Sequence, residues 1–109
     1  MSIAAFIQKP KNVFPGDLYI PIATEKFFEK CWIPAIQVLD LQWIRVFSVG
    51  LDLTKEKLPN VISELNQLKK WAKGKLNSEE QKHLLDRVSN LESMLEKAFT
   101  IEDAVVFIG

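Results

Sequence analysis

The side chains best able to do chemistry are few: one histidine, one cysteine and a scatter of carboxylates. His83 has Glu79 and Asp86 on neighbouring helical turns, which makes at most a partial metal or acid–base site, and it reads as a solvated side chain. Cys31 falls late in a helix expected to begin at Thr24. The negative end of the helix dipole raises a thiol's pKa there, so Cys31 reads as a small buried hydrophobe rather than a nucleophile. Glu92 and Glu96 stand one turn apart, a spacing open to an acid and base pair, but nothing nearby sets their environments apart, and a solvated face accounts for them. No glycine-rich phosphate loop, HExxH, GxSxG or calcium-loop pattern occurs. The expectation is a protein without catalysis, metal or cofactor.

Two features suit binding instead. The run "LKKWAKGK" joins Lys69, Lys70, Lys73 and Lys75 to Trp71, and basic residues interleaved with an aromatic suit single-stranded nucleic acid. Lysines in a last helical turn also complement the dipole, and the tryptophan can pack inward, so the structural reading is preferred. The second feature is a surplus of aromatics: Phe27, Phe28, Trp32, Trp43 and Trp71. Phe27 and Phe28 point about 100° apart on a helix, so both cannot bury against one element, and one of them is a candidate interface anchor.

The elements that must carry these residues can be outlined. "IAAFI", residues 3–7, fits a short strand, and "QKPKNVFPGD", with its prolines and glycine, reads as a loop. "LYIPIA" is strand-like, with Pro21 restricting it to an edge or a bulge. Thr24 is the expected N-cap of a helix whose apolar face is Phe28, Trp32, Ile36 and Leu39, and Pro34 should kink or break it by freeing the Lys30 carbonyl. "LQWIRVFSVG", residues 41–50, reads as a strand covered at least partly on both faces. A helix follows with Leu58, Val61 or Ile62, Leu65, Leu68 and Ala72 in its stripe and Gly74 as its C′ residue. The next helix begins at a capping box, Ser78 with Gln81, and repeats Leu84, Val88, Leu91, Leu95 and Ala98. The short link over 73–77 makes the two helices an antiparallel pair. "DAVVFIG" is an unbroken apolar run, expected to be an interior strand. The fold expected is α+β: one domain with a small mixed sheet of three to four strands packed on a kinked helix and an antiparallel helical pair.

Composition agrees with a folded chain. The 109 residues are 48% hydrophobic and 26% charged, enough apolar content for a core without staples. A single cysteine precludes an internal disulfide and fits a reducing compartment. No apolar stretch reaches the roughly 18 residues of a membrane span and no leader-like segment opens the chain, so the cytoplasm is the expected location. Formal net charge is zero, yet residues 1–75 carry 11 basic and 7 acidic side chains and residues 76–109 carry 3 and 7. The chain is a dipole along its length.

The layout resembles a known family. "YIPIATEKFFEKCWIPAI", "LQWIRVFSVGLDLTKEKLP", "ISELNQLKKW" and the terminal "DAVVFIG" are similar to the small bacterial immunity proteins of polymorphic toxin systems, including those of contact-dependent growth inhibition. The likeness spans roughly Leu18 to Ala72 and the last six residues, and it includes no catalytic motif. It implies a cytoplasmic protein that binds the C-terminal domain of one cognate toxin, often a nuclease, and occludes its active site or an essential surface. It fixes no contact residues. A nuclease that attracts phosphate tends to be basic, so acidic side chains are the physical complement. The candidates are Glu79, Glu80 and Asp86 on the last helix, Glu102 and Asp103 before the last strand, and Phe27 as the aromatic anchor. Nuclease immunity proteins are commonly acidic overall and this chain is neutral, so steering by net charge should be slight. The alternative reading is a nucleic-acid-binding or regulatory module using Lys69–Lys75 with Trp71, and a small enzyme is third. Under the preferred reading there is no nucleic-acid, membrane or small-molecule partner.

Overall fold

A computed structural model describes residues 2–9 and 19–109. The loop expected over 8–17 lies, past Lys9, outside the described residues. Among the described residues four strands form one sheet: β1 (Ser2–Lys9), β2 (Tyr19–Thr24), β3 (Leu51–Thr54) and β4 (Val105–Ile108). Their order is β2-β1-β4-β3. The α+β class is as expected, but all three pairings are antiparallel, so the sheet is not mixed. Because β4 lies between β1 and β3, the C-terminal strand is interior, as its unbroken apolar run requires.

Period-two alternation divides the sheet into two faces. Ile3, Ala5, Ile22, Leu53, Val106 and Ile108 are buried on the inner face. Three helices cover that face: α1 (25–39), α2 (Leu58–Lys75) and α3 (Ser78–Ala98). Their stripes bury Phe28, Trp32 and Ile36 from α1, Val61, Leu65 and Leu68 from α2, and Leu84, Val88, Leu91 and Leu95 from α3. Each such side chain contributes about 1.5–3 kcal/mol by leaving water. No described helix is long and apolar enough to cross a membrane.

Thr24 caps α1 as its sequence position suggests, its Oγ1 accepting from the Phe27 amide at 3.1 Å. Pro34 acts upstream of itself. Proline has no amide to give the Lys30 carbonyl, and the helix widens into a π-helical segment, Phe28–Trp32, in which the Ile33 amide donates to the Phe28 carbonyl. The helix then continues as Ile33–Leu39 and ends at Asp40 in the left-handed region, φ 53°.

The strand expected over 41–50 does not form. Leu41, Ile44 and Phe47, spaced by three, are buried, and the backbone over Ile44–Val46 is a 3-10 turn. Glu64 of α2 explains the difference. Its Oε2 accepts from the Gln42 amide at 2.7 Å, and its Oε1 accepts from Trp43 and Ile44 at 2.8 and 2.9 Å. Successive strand amides point to opposite sides, so three consecutive ones can meet one carboxylate only where the chain turns. The third strand is displaced to Leu51–Thr54, beyond Gly50, whose φ is +116°. An added Cβ there would also lie 3.3 Å from the Phe107 ring, so the position suits glycine on both counts.

Two helix ends also shift. Asn77, not Ser78, is the N-cap of α3, with Oδ1 accepting from the Glu80 amide at 2.9 Å, and asparagine is as good a cap as serine. Gly74 is not a C′ residue, because α2 runs on to Lys75 and the Leu76 amide closes on the Ala72 carbonyl.

Candidate functional site

The acidic candidates do not form one patch. Glu79 and Asp86 are exposed in the first half of α3, whereas Glu102 and Asp103 are exposed in the turn before β4. Asp86 lies 12 positions and Glu79 19 positions before Ala98, the last residue of α3, about 18 and 29 Å along the helix at 1.5 Å per residue. Phe27 is half-buried and sets its ring edge-on to His83 of α3, with centroids 4.6 Å apart. Phe28, its neighbour, is buried.

Glu80 is already engaged within the molecule, 2.8 Å from Lys30 Nζ, which ties α1 to the start of α3. The hydrogen bond and charge of Lys30 hold the Glu80 carboxyl below its ordinary value of 4.5, and Glu80 in turn raises Lys30 above 10.5. A depressed carboxyl stabilises the fold above its unfolded pKa and loses that effect as pH falls through the folded value. A raised ammonium does so below its unfolded pKa and loses the effect as pH rises. Thermal denaturation of the wild type and Glu80→Gln should therefore differ by a constant amount between these limits. The gap should close below pH 4.5 and again above 10.5. A gap unchanged from neutral pH down to pH 3, about thirty times more acid than the ordinary glutamate value, would show that the pair is not what Glu80 contributes.

The remaining reactive side chains are likewise held by their neighbours. Cys31 is wholly buried, and burial first, then the nearby Glu80 carboxylate, pushes its thiol pKa up, away from the thiolate a nucleophile needs. Glu92 accepts from Lys69 Nζ at 2.8 Å across the α2–α3 interface, and Glu96 is exposed. That bond also takes one lysine out of the basic segment. Trp71 is half-buried against the core, and Lys70, Lys73 and Lys75 are exposed. Among the described residues no cluster of three or more His, Cys, Asp or Glu is placed to hold a metal ion.

The outer face of the sheet carries a feature that the sequence reading passed over. Phe6 of β1 lies opposite Tyr19 of β2 and opposite Phe107 of β4, and Phe107 lies opposite Asp52 of β3. These four residues form one row across all four strands. Tyr19 is 56% and Phe6 37% exposed, the Phe6 and Phe107 rings are 5.3 Å apart, and Asp52 closes the row with an exposed carboxylate. Beside it, Pro21 is exposed and Val105 half-exposed. The signal was present as alternation, with Ile3, Ala5 and Ile7 inward and Ala4 and Phe6 outward. Only the register shows that the outward aromatics of three strands coincide.

At the β3–β4 end of this face lies an open groove of about 750 Å³, lined by Thr54, Lys55, Glu56, Ile101, Glu102 and Asp103 among others. Two of the sequence-predicted acidic residues thus meet there, joined by Glu56. Asp103 sits in the left-handed region, φ 62°, a conformation that aspartate tolerates better than most residues.

Comparison with protein families, with curated proteins and with solved structures gives no match.

Proposed function

We propose that this protein is an immunity protein, acting in the cytoplasm by binding one cognate toxin domain stoichiometrically through the outer face of its sheet. The observation that carries this reading is the row Tyr19–Phe6–Phe107, in which Tyr19 and Phe6 are exposed and Phe107 is half-buried, on the sheet face turned away from the described helices. Aromatic side chains dominate the anchors of protein interfaces because they bring large, rigid apolar area at little entropic cost. The row supplies the anchors alone. A stable complex buries about 1,600 Å² in total, so the rim around Pro21, Asp52 and Val105 has to contribute the rest. Inhibition by occlusion needs shape and stability from the inhibitor and no bond-making, and the sandwich beneath the row provides a rigid support.

Co-expression tests the proposal. The reading requires a secreted toxin encoded beside this chain: its C-terminal domain should arrest growth, the intact protein should restore it, and the two should co-purify in equal amounts. Arrest that persists despite soluble expression of both would overturn the assignment.

A further inference from the structure

The two edges of the sheet are not protected alike. On β2, Pro21 has no amide to offer, Ile22 is skipped by the register shift between Ile3 and Ala4, and Arg87 Nη1 from α3 donates to the Pro21 carbonyl at 3.2 Å. These are the devices by which natural sheets blunt an edge. β3, "LDLT", has no proline and no break in its pairing with β4.

The register identifies which of its groups are free. Ala4 and Gly109 exchange two hydrogen bonds, at 3.2 and 3.0 Å, so Gly109 and Phe107 turn their backbone groups toward β1, while Val106 and Ile108 turn theirs toward β3. Leu53 and Leu51, opposite Val106 and Ile108, therefore hold β3 in the sheet. Asp52 and Thr54 direct their amides away from β4. Among the described residues carboxylates outnumber cations around this edge. Asp52 is exposed on the strand, and Glu56, Glu102 and Asp103 line the groove at its end with Lys55 as the one cation among the described lining residues. Lys57, next along, sits over the Trp43 ring at 5.7 Å.

We propose that β3 accepts an extended segment of the partner protein as a fifth strand, and that this segment carries lysine or arginine. Its backbone bonds the Asp52 and Thr54 amides, and its cations meet Asp52 and the groove carboxylates, the mode in which main-chain bonds give affinity and flanking side chains give selectivity. The inference rests on the reading of the sheet as a protein-binding surface but not on the identity of the toxin.

The full chain, labelled with 15N, should be titrated with a blocked hexapeptide of alternating lysine and valine and, separately, with its glutamate–valine counterpart. The basic peptide should shift resonances over 52–56 and 101–105, slow exchange of the Asp52 and Thr54 amides by about tenfold, and leave β2 unmoved. Asp52→Pro removes an outward amide and the Asp52 carboxylate together but no bond to β4, at a place where an edge strand tolerates proline, and should stay folded while binding at least about tenfold more weakly. Glu56→Lys with Glu102→Lys, which leaves the backbone intact, should weaken binding by a similar factor of about ten. Equal binding of the glutamate peptide, shifts centred on Tyr19–Thr24, or no binding at about millimolar peptide would overturn the proposal. Growth rescue that fails while the peptide docks counts against the immunity assignment alone.

Discussion

Glu64→Ala should unfold at markedly lower denaturant and temperature than the wild type, with a loss of about 3–4 kcal/mol, the largest stability change expected of any polar substitution in this chain. Glu64 is 8% exposed and its carboxylate accepts from three consecutive amides. A hydrogen bond to a charged acceptor contributes about 1.5–3 kcal/mol, and a buried amide left without a partner costs about 1–3. The sum falls below three full bonds because Gln42 is exposed and water can reach its amide once the carboxylate is gone. Ile44 is wholly buried and has no such relief. For a domain of this size the midpoint should fall by about 15 °C. Glu64→Gln retains one acceptor oxygen and should lose about half as much. Urea unfolding of the three proteins measures the order directly. A loss under about 1 kcal/mol in the alanine variant would mean that the turn over 42–47 holds its shape through Leu41, Ile44 and Phe47 alone.

The second large effect separates binding from folding. Phe6→Glu should reduce affinity for the proposed toxin domain by at least about a hundredfold, because it removes the central ring of the row and sets a charge where an apolar partner surface would close. Its cost to the fold should be about 1 kcal/mol, since Phe6 is 37% exposed and its main contact is the Phe107 ring, a pair worth about 0.5–1.5 kcal/mol. Calorimetric titration and thermal denaturation of the same preparation give both quantities. A variant that binds undiminished removes Phe6 from the contact. One that melts as far down as Glu64→Ala shows instead that the row is structural.

What could be read in advance follows the range of the forces involved. The Thr24 cap, the confinement of Pro21 to an edge, the helical stripes of α2 and α3 and the interior placement of Val105–Ile108 are all set by residues within a turn or two of one another. The turn over 41–50 is not. Its alternation of Trp43, Phe47 and Val49 suits a strand, and the group that bends it, Glu64, is 20 to 22 positions away and looks like any polar residue on a helix. Pro34 announced a disturbance in α1 without showing that it would be a π-helical turn rather than a kink. The candidate surface was legible in the same partial way. Glu102 and Asp103 were found from charge, but Glu56 joins them only because β3 and β4 pair, and Phe27 was preferred as the anchor because the pairing of Phe6 with Tyr19 and Phe107 is a property of the sheet.

The claim that this protein works by presenting its outer sheet face to another protein is tested most directly by mapping a complex. The 15N-labelled chain titrated with the purified toxin domain proposed as its partner should saturate at one domain per chain. Phe6, Tyr19, Asp52 and Phe107 should move most, and the α2–α3 link near Trp71 should stay unchanged. Saturation with the sheet resonances unmoved and the changes gathered on Lys70, Trp71 and Lys73 would contradict it.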